Sequence, residues 1–335
     1  MSVTIKDVAK LAEVSISTVS RVINNSASVS PEARRRVLAA IDKLGYKPNQ
    51  VARSLVTKKS NLIGVIVTDI GNSYVAQMMR GIEEVGRMYN YDILLSSSYG
   101  NPKTELKFAE LLRSKQVEGI ILISEDVDEA VIDVIKEFNI PFMYLNKYYK
   151  VSNLPSVSID NYEASFMMTK YLLELGHENI LYITVNNDKV GSVEKDKIEG
   201  YRKAMEEFKK DELILSTKDF TVEAGYDMGN ILENLIDERN ITAVFCCQDE
   251  IAIGLINYCY DSNIQVPKDI SICGYGDTKM ASIYRPSITT IKEPYYDIGA
   301  VAIRRIIKEL EGDKIEEPSI YLPIQLIKRE SCRRI

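Results

Sequence analysis

From residue 61 onward short apolar runs alternate with amphipathic stretches, and this alternation leaves little choice of fold. LIGVIV (62–67), YDILLSS (91–97), EGIILIS (118–124) and PFMYLN (141–146) are too short for core helices and are apolar almost throughout. Helical spacing fills the intervals at 73–89, 103–114 and 128–138. The series then restarts with NILYITV (179–185), ITAVFCC (241–247) and DISICGYG (269–276), set among helices near 162–175, 196–209, 222–236 and 249–262. Near-continuous apolar runs mark strands buried on both faces, as in parallel sheets covered by helices. Two such series predict an α/β body of two doubly wound parallel sheets, with ligands taken where the strand ends share a mouth. One large α/β enzyme domain fits the two similar halves poorly.

The first 60 residues follow another pattern. They hold eleven Lys or Arg against four Asp or Glu, a balance of +7; the whole chain is at −6, so the remainder carries −13. A basic head on an acidic body holds the head to a polyanion while the body is repelled. Helix signals are dense here. Thr4 can cap a helix from Ile5 to about Ala12, with Asp7 three positions on. Ser15 can cap a second from Ile16 to about Asn24, and Ser30-Pro31-Glu32 opens a third that Gly45 can end. Val8, Leu11, Val19, Val22, Ile23, Val37, Leu38, Ile41 and Leu44 would form one small core. That turns Ile16, Ser17, Ser20, Arg21 and Asn24 outward. A short polar helix with one guanidinium on its open face suits the major groove, because Arg pairs bidentately with guanine. A three-helix cap with a solvated face is the plainer alternative.

After Lys47 and Pro48 comes NQVARSLVTKKS, too short for a stable helix alone in water. Ala52 and Leu55 lie three apart on one face, as in an element that folds on DNA and wedges Leu between minor-groove base steps.

At this point VTIKDVAKLAEVSISTVSRVINNSASVS and GYKPNQVARSL together resemble the DNA-binding head and hinge helix of the LacI/GalR bacterial repressors. The resemblance implies base-reading roles for Ile16, Ser17 and Arg21, backbone contacts for Thr4, Thr18, Ser20 and Asn24, and a minor-groove lever at Leu55 beside Ala52. It implies a helix-turn-helix head (1–48), a hinge helix and linker (49–60) and a periplasmic-binding-protein-like body (61–335). The body would have subdomains of about 61–160 plus 290–321 and about 161–289 plus 322–335. Such proteins bind double-stranded operator DNA as homodimers.

Catalysis is not expected. His177, the one histidine, precedes a strand with no Ser or Cys partner for a triad, and GYGDT lacks the third glycine of a dinucleotide loop. The five cysteines have no CxxC spacing, so neither a metal nor a cofactor is expected. The N-terminus runs straight into an amphipathic pattern without an apolar run fit for a signal peptide or a membrane span, and the expectation is a cytoplasmic protein.

Sugar-sensing members of the family carry an Arg three residues before the Gly of a GY or GW pair and an Asp after the aromatic of GYD or GFD. Here those positions are Lys197 and Gly276, which weakens a sugar as small-molecule effector while leaving Lys197, Asp249 and Asp277 as cleft candidates. YYDIGAVAIRRIIKEL (295–310) points elsewhere: Arg304 and Lys308 share a helix face with Val301. Basic residues near a helix C-terminus also simply complement its dipole. The stretch nevertheless resembles that of the family's carbon-catabolite regulators from low-GC Gram-positive bacteria. That implies a partner, the phosphocarrier HPr phosphorylated on serine, meeting Arg304 and Lys308 with Tyr296, Asp297 and Val301 around them. A sugar-released local repressor is the alternative within the family.

Overall fold

The computed structural model describes residues 3–23, 28–46, 59–125, 128–148, 154–185, 192–313 and 317–335. The chain divides into two compact units, residues 1–60 and 61–335.

The N-terminal unit contains α1 (Ile5–Ala12), α2 (Ile16–Ile23) and α3 (Pro31–Leu44). Side chains set each start. The Asp7 carboxylate accepts the Thr4 N–H at 2.9 Å and the Thr4 hydroxyl at 2.7 Å, and these bonds hold it below the usual carboxylate range. Ser15 Oγ accepts the Thr18 N–H at 3.1 Å, and Ser30 Oγ that of Ala33 at 3.3 Å. α3 stops at Gly45, whose φ of +59° lets Gly45 and Tyr46 return their N–H groups to the carbonyls of Asp42 and Ile41.

Val8, Ala9, Ala12, Val19, Val22, Val37 and Ala40 form the head's core. Leu11 and Leu38, expected inside, are 42% and 53% exposed. The inward places beside Val8 and Val37 go instead to Ala9, Ala12 and Ala40, whose small side chains let short helices approach closely.

The body has two lobes. In the first, β1 (Leu62–Val67), β2 (Asp92–Ser97), β3 (Gly119–Ser124) and β4 (Phe142–Asn146) form a parallel sheet ordered β2-β1-β3-β4. Its helices are α4 (Ser73–Met88), α5 (Pro102–Ser114) and α6 (Glu129–Glu137). The chain crosses by β5 (Ser156–Ile159) into α7 (Asn161–Glu174) and the second lobe. That lobe adds β6 (Ile180–Val185), α8 (Val193–Glu207), β7 (Leu213–Thr217), α9 (Val222–Asp227), α10 (Gly229–Arg239), β8 (Ala243–Cys246), α11 (Asp249–Asp261), β9 (Ser271–Gly276), α12 (Lys279–Ile283) and β10 (Thr289–Lys292). The chain then returns to the first lobe as α13 (Tyr295–Leu310), pairs β11 (Ser319–Leu322) with β5, and ends with β12 (Gln325–Ile327) antiparallel to β10. The second sheet is ordered β12-β10-β9-β8-β6-β7, so residues 289–292 belong to it and the return begins after Lys292.

Strands β5, β7, β10, β11 and β12 go beyond the apolar runs read from sequence. β7 is a half-buried edge strand, and among the described residues β5 and β11 form a two-stranded sheet of their own. In the first lobe, α13 and α4 pack almost backbone to backbone. A Cβ on Gly81 would lie 2.1 Å from the Tyr296 carbonyl oxygen, and one on Gly299 would lie 2.1 Å from that of Met78. Among the described residues no helix is long and apolar enough to cross a membrane.

Candidate DNA-reading helix, partner face and effector cleft

Burial of Val19 and Val22 fixes which side of α2 faces out. Ile16, Ser17 and Arg21 are exposed, while Thr18 and Ser20 are half-buried. Ser15 Oγ lies 2.7 Å from Ser17 Oγ and 2.9 Å from Thr18 Oγ1, which gathers three hydroxyls at the positive end of the α2 dipole. Thr4, at the start of α1, is exposed. This face offers one guanidinium for a base edge and hydroxyls for phosphate oxygens. Asn24, Ala52 and Leu55 lie outside the described residues.

On α13, Ile298, Ala302, Ile303, Ile306 and Ile307 are buried in the first lobe. Their burial leaves Tyr296, Asp297, Arg304 and Lys308 exposed and Val301 half-buried. Steps of four, three and four residues from Asp297 to Lys308 line these groups along one side. Tyr296 is held from α4: its hydroxyl donates to Glu84 Oε2 at 2.7 Å, and the Arg80 guanidinium lies 5.9 Å over its ring. Arg80 Nε also donates to Glu84 Oε1 at 3.0 Å. The Tyr296 and Arg80 hydrogen bonds hold the Glu84 carboxyl below its usual range, and the bond to Glu84 pushes the Tyr296 hydroxyl up. The result is a small apolar spot at Val301 beside two exposed cations, fit for an anionic group on a protein surface.

Between the lobes lies a cavity of about 190 Å³, lined by Tyr144, Asn146, Lys147, Asn161, Glu293 and Tyr295 among others. None of the three cleft candidates named from sequence lines it; each is engaged within the second lobe. Lys197 is buried, donates to Glu194 Oε1 at 2.7 Å and the Cys247 carbonyl at 3.1 Å, and sits 4.1 Å over the Tyr275 ring. Burial opposes its charge, but the Glu194 carboxylate and its neighbours outweigh that, so it titrates above the usual lysine range. Asp249 is fully buried and accepts from the Thr290 hydroxyl at 2.6 Å and the Thr278 N–H at 2.7 Å. Its burial raises the carboxyl to about 6 despite those bonds. Asp277 is paired with Arg329 at 2.5 Å.

The residues that do line the cavity come mainly from the end of β4, from β5 and β11, and from the starts of α7 and α13. The signal in sequence for Asn146 and Lys147 was a pair of polar residues closing a buried strand, a pattern common to many strand ends. His177 has a structural part. Its Nδ1 lies 3.0 Å from Thr242 Oγ1 and its Nε2 3.0 Å from the Arg333 carbonyl, tying the approach to β6 to the C-terminal segment.

A basic three-helix head with an open α2 face, joined to a two-lobed parallel-sheet body, defines a DNA-binding transcription regulator. Residues 4–49 match the model of the bacterial regulatory proteins of the lacI family, and residues 169–332 that of the periplasmic binding protein-like domain. The chain belongs to the lacI family. It is 38% identical to the HTH-type transcriptional regulator RegA of Clostridium saccharobutylicum over 99% of each chain. It is 36% identical to catabolite control protein A of Priestia megaterium over 99% of this chain and 100% of that one. The solved structure of the lac repressor dimer bound to operator and the anti-inducer ONPF matches it with a TM-score of 0.84, at 26% identity, covering 99% of this chain and 100% of that one. These relatives are regulators of transcription, not enzymes.

Proposed function

We propose that this chain is a cytoplasmic, homodimeric regulator of carbon catabolite control that binds palindromic operators when serine-phosphorylated HPr docks on its body as corepressor. The outer face of α13 carries this reading. Arg304 and Lys308 are exposed one turn apart, Val301 offers an apolar spot beside them, and Tyr296 and Asp297 close the patch. A phosphoserine protein needs such a surface: cations for the phosphate and a small apolar seat for its neighbours. Full-length similarity to catabolite control protein A supports it.

In this reading residues 1–48 are the DNA-binding head, 49–60 the hinge and 61–335 the regulatory body. Two copies of α2 dock in successive major grooves, with Ile16, Ser17 and Arg21 on base edges and Thr4, Thr18, Ser20 and Asn24 on the backbone. Ala52 and Leu55 from each chain meet at the operator centre, where Leu55 wedges a base step open and bends the DNA. Corepressor binding favours the body arrangement that holds the hinges together. The second reading, a sugar-responsive local repressor, has the inter-lobe cavity with its Asn146 and Asn161 amides in its favour.

One variant separates the two. Replacing Arg304 and Lys308 together with Glu should abolish capture of serine-phosphorylated HPr, measured by fluorescence anisotropy, and leave corepressor-free DNA binding unchanged. A double variant that captures HPr normally refutes the corepressor reading. A gel-shift titration in which a free or phosphorylated sugar, and not phosphorylated HPr, changes operator affinity establishes the alternative.

A further inference from the structure

Where β4 ends, Lys147 and Tyr148 leave the first lobe toward the second. The Lys147 ammonium lies 5.3, 5.6 and 5.7 Å from the ring centroids of Tyr74, Tyr148 and Tyr295. All three distances fall where a ring quadrupole attracts a cation. Tyr74 and Tyr295 are buried with their rings 5.6 Å apart. Carboxylates fix both hydroxyls: Tyr74 donates to Glu125 Oε1 at 2.6 Å and Tyr295 to Glu293 Oε2 at 2.5 Å. Burial, followed by the nearby charges of Glu125 and Glu293, pushes the Tyr148 hydroxyl up. Aromatic walls backed by carboxylates make a receptor for an alkylammonium ion.

The same two residues also span the cleft. Lys147 Nζ donates to Gln248 Oε1 at 3.0 Å, at the start of α11 in the second lobe. The Tyr148 ring lies 5.2 Å from that of Phe220, and its carbonyl accepts the Val193 N–H at 2.8 Å. Thus the ammonium lies among the rings of the first lobe while it is hydrogen-bonded to the second.

We propose that Lys147 is a built-in occupant of this cage: its own ammonium holds the two lobes together as a ligand between them would, and the emptied cage is an alkylammonium site. A tethered group acts at an effective concentration on the order of millimolar or above, so free amines compete poorly while the lysine is present. The inference stands apart from the corepressor reading, because its test needs neither DNA nor the phosphocarrier.

The test uses the full chain with Lys147→Ala and n-butylammonium chloride as probe, against n-butanol at matched salt. Small-angle scattering should show a larger radius of gyration for Lys147→Ala than for wild type, reversed by butylammonium. At ten times its Kd, butylammonium should raise the Tm of Lys147→Ala by about 3 °C. Wild type and Lys147→Arg, whose cages are filled, should not shift. Either readout failing in Lys147→Ala, an equal shift in wild type, or equal rescue by butanol overturns the proposal. If Lys147→Ala does not fold, Lys147→Met keeps the stem and loses only the charge. Its Tm should fall below that of Lys147→Arg, and equal values overturn the proposal.

Discussion

Gly81→Ala offers a sharp test of how the α13 face is positioned. In an ordinary exposed helix this change stabilises by about 1 kcal/mol, because Gly loses more backbone freedom on folding than Ala does. Here the new methyl would stand 2.1 Å from the Tyr296 carbonyl oxygen and 2.9 Å from the Ala300 N. Both are backbone atoms of α13, so no side chain can swing aside. Restoring ordinary contact requires α4 and α13 to part by roughly 1.5 Å. Overpacking of this kind costs about 1–3 kcal/mol; with unyielding backbone on the far side the cost lies at the top of that range, and the net effect after the helix gain is a loss of about 2 kcal/mol. Gly299→Ala meets the Met78 carbonyl at the same crossing, also at 2.1 Å. Once one methyl has forced the helices apart the second meets less resistance, so the double variant should lose clearly less than the sum of the single losses. Gly86→Ala is the control: its nearest neighbours are side-chain ends, Ile303 Cδ1 at 2.9 Å and Ile93 Cδ1 at 3.1 Å, which can turn where backbone cannot, so its loss should be clearly smaller than that of Gly81→Ala. Urea unfolding of the four variants gives all the values. A Gly81→Ala chain as stable as wild type, or strictly additive losses, would show that the two backbones are not in contact there.

Two further outcomes follow from the sites. Arg21→Ala should relax base preference at one operator position by about 1–3 kcal/mol in competition binding against single-base operator variants; an unchanged preference profile removes Arg21 from base reading. For Asp249 the folded carboxyl titrates at about 6 against an ordinary 3.8, so its stabilising contribution is complete below pH 4 and is lost as pH rises through 6. Neutral-pH stability is thereby lowered by about 3 kcal/mol relative to an unshifted carboxyl. Asp249→Asn, whose amide can still accept from the Thr278 N–H and donate to the Thr290 hydroxyl, should flatten the fall in Tm between pH 4 and 7. A slope equal to that of wild type would refute the assignment.

How much of this was legible in the sequence depended on whether the information was local. LIGVIV and EGIILIS announce themselves because both faces of β1 and β3 are buried, and burial on both faces leaves an unbroken apolar run. LILST at β7 does not, since an edge strand buries only part of its surface and its run is short. In the head, capping by Thr4, Ser15 and Ser30 is a matter of three or four residues and is read directly. The outward turn of Leu11 and Leu38 is not, because it depends on how closely Ala9, Ala12 and Ala40 let three helices approach. The cleft was least legible. Lys197 and Asp249 stood out as polar groups at expected positions, yet each is buried in the second lobe and held by groups distant in sequence, the Cys247 carbonyl for Lys197 and Thr278 and Thr290 for Asp249. The Lys147 cage joins residues 74, 147, 148 and 295, which become neighbours only after the lobe has assembled.

That assembly also links the two candidate regulatory surfaces. Tyr295 and Tyr296 are consecutive residues at the start of α13, about 100° apart around the helix, and they meet different surroundings. Tyr295 is buried against the Lys147 ammonium, and Tyr296 is exposed at the head of the row that runs to Arg304 and Lys308. Because Gly81 and Gly299 press α13 against α4 at backbone distance, the helix cannot adjust one end without carrying the other. Packed interfaces of this kind shift between discrete arrangements rather than deforming smoothly. A protein seated on the outer face and an ammonium seated in the cleft therefore act on one rigid element. Linkage requires that any preference one has for a given placement of α13 be returned, in equal measure, to the other.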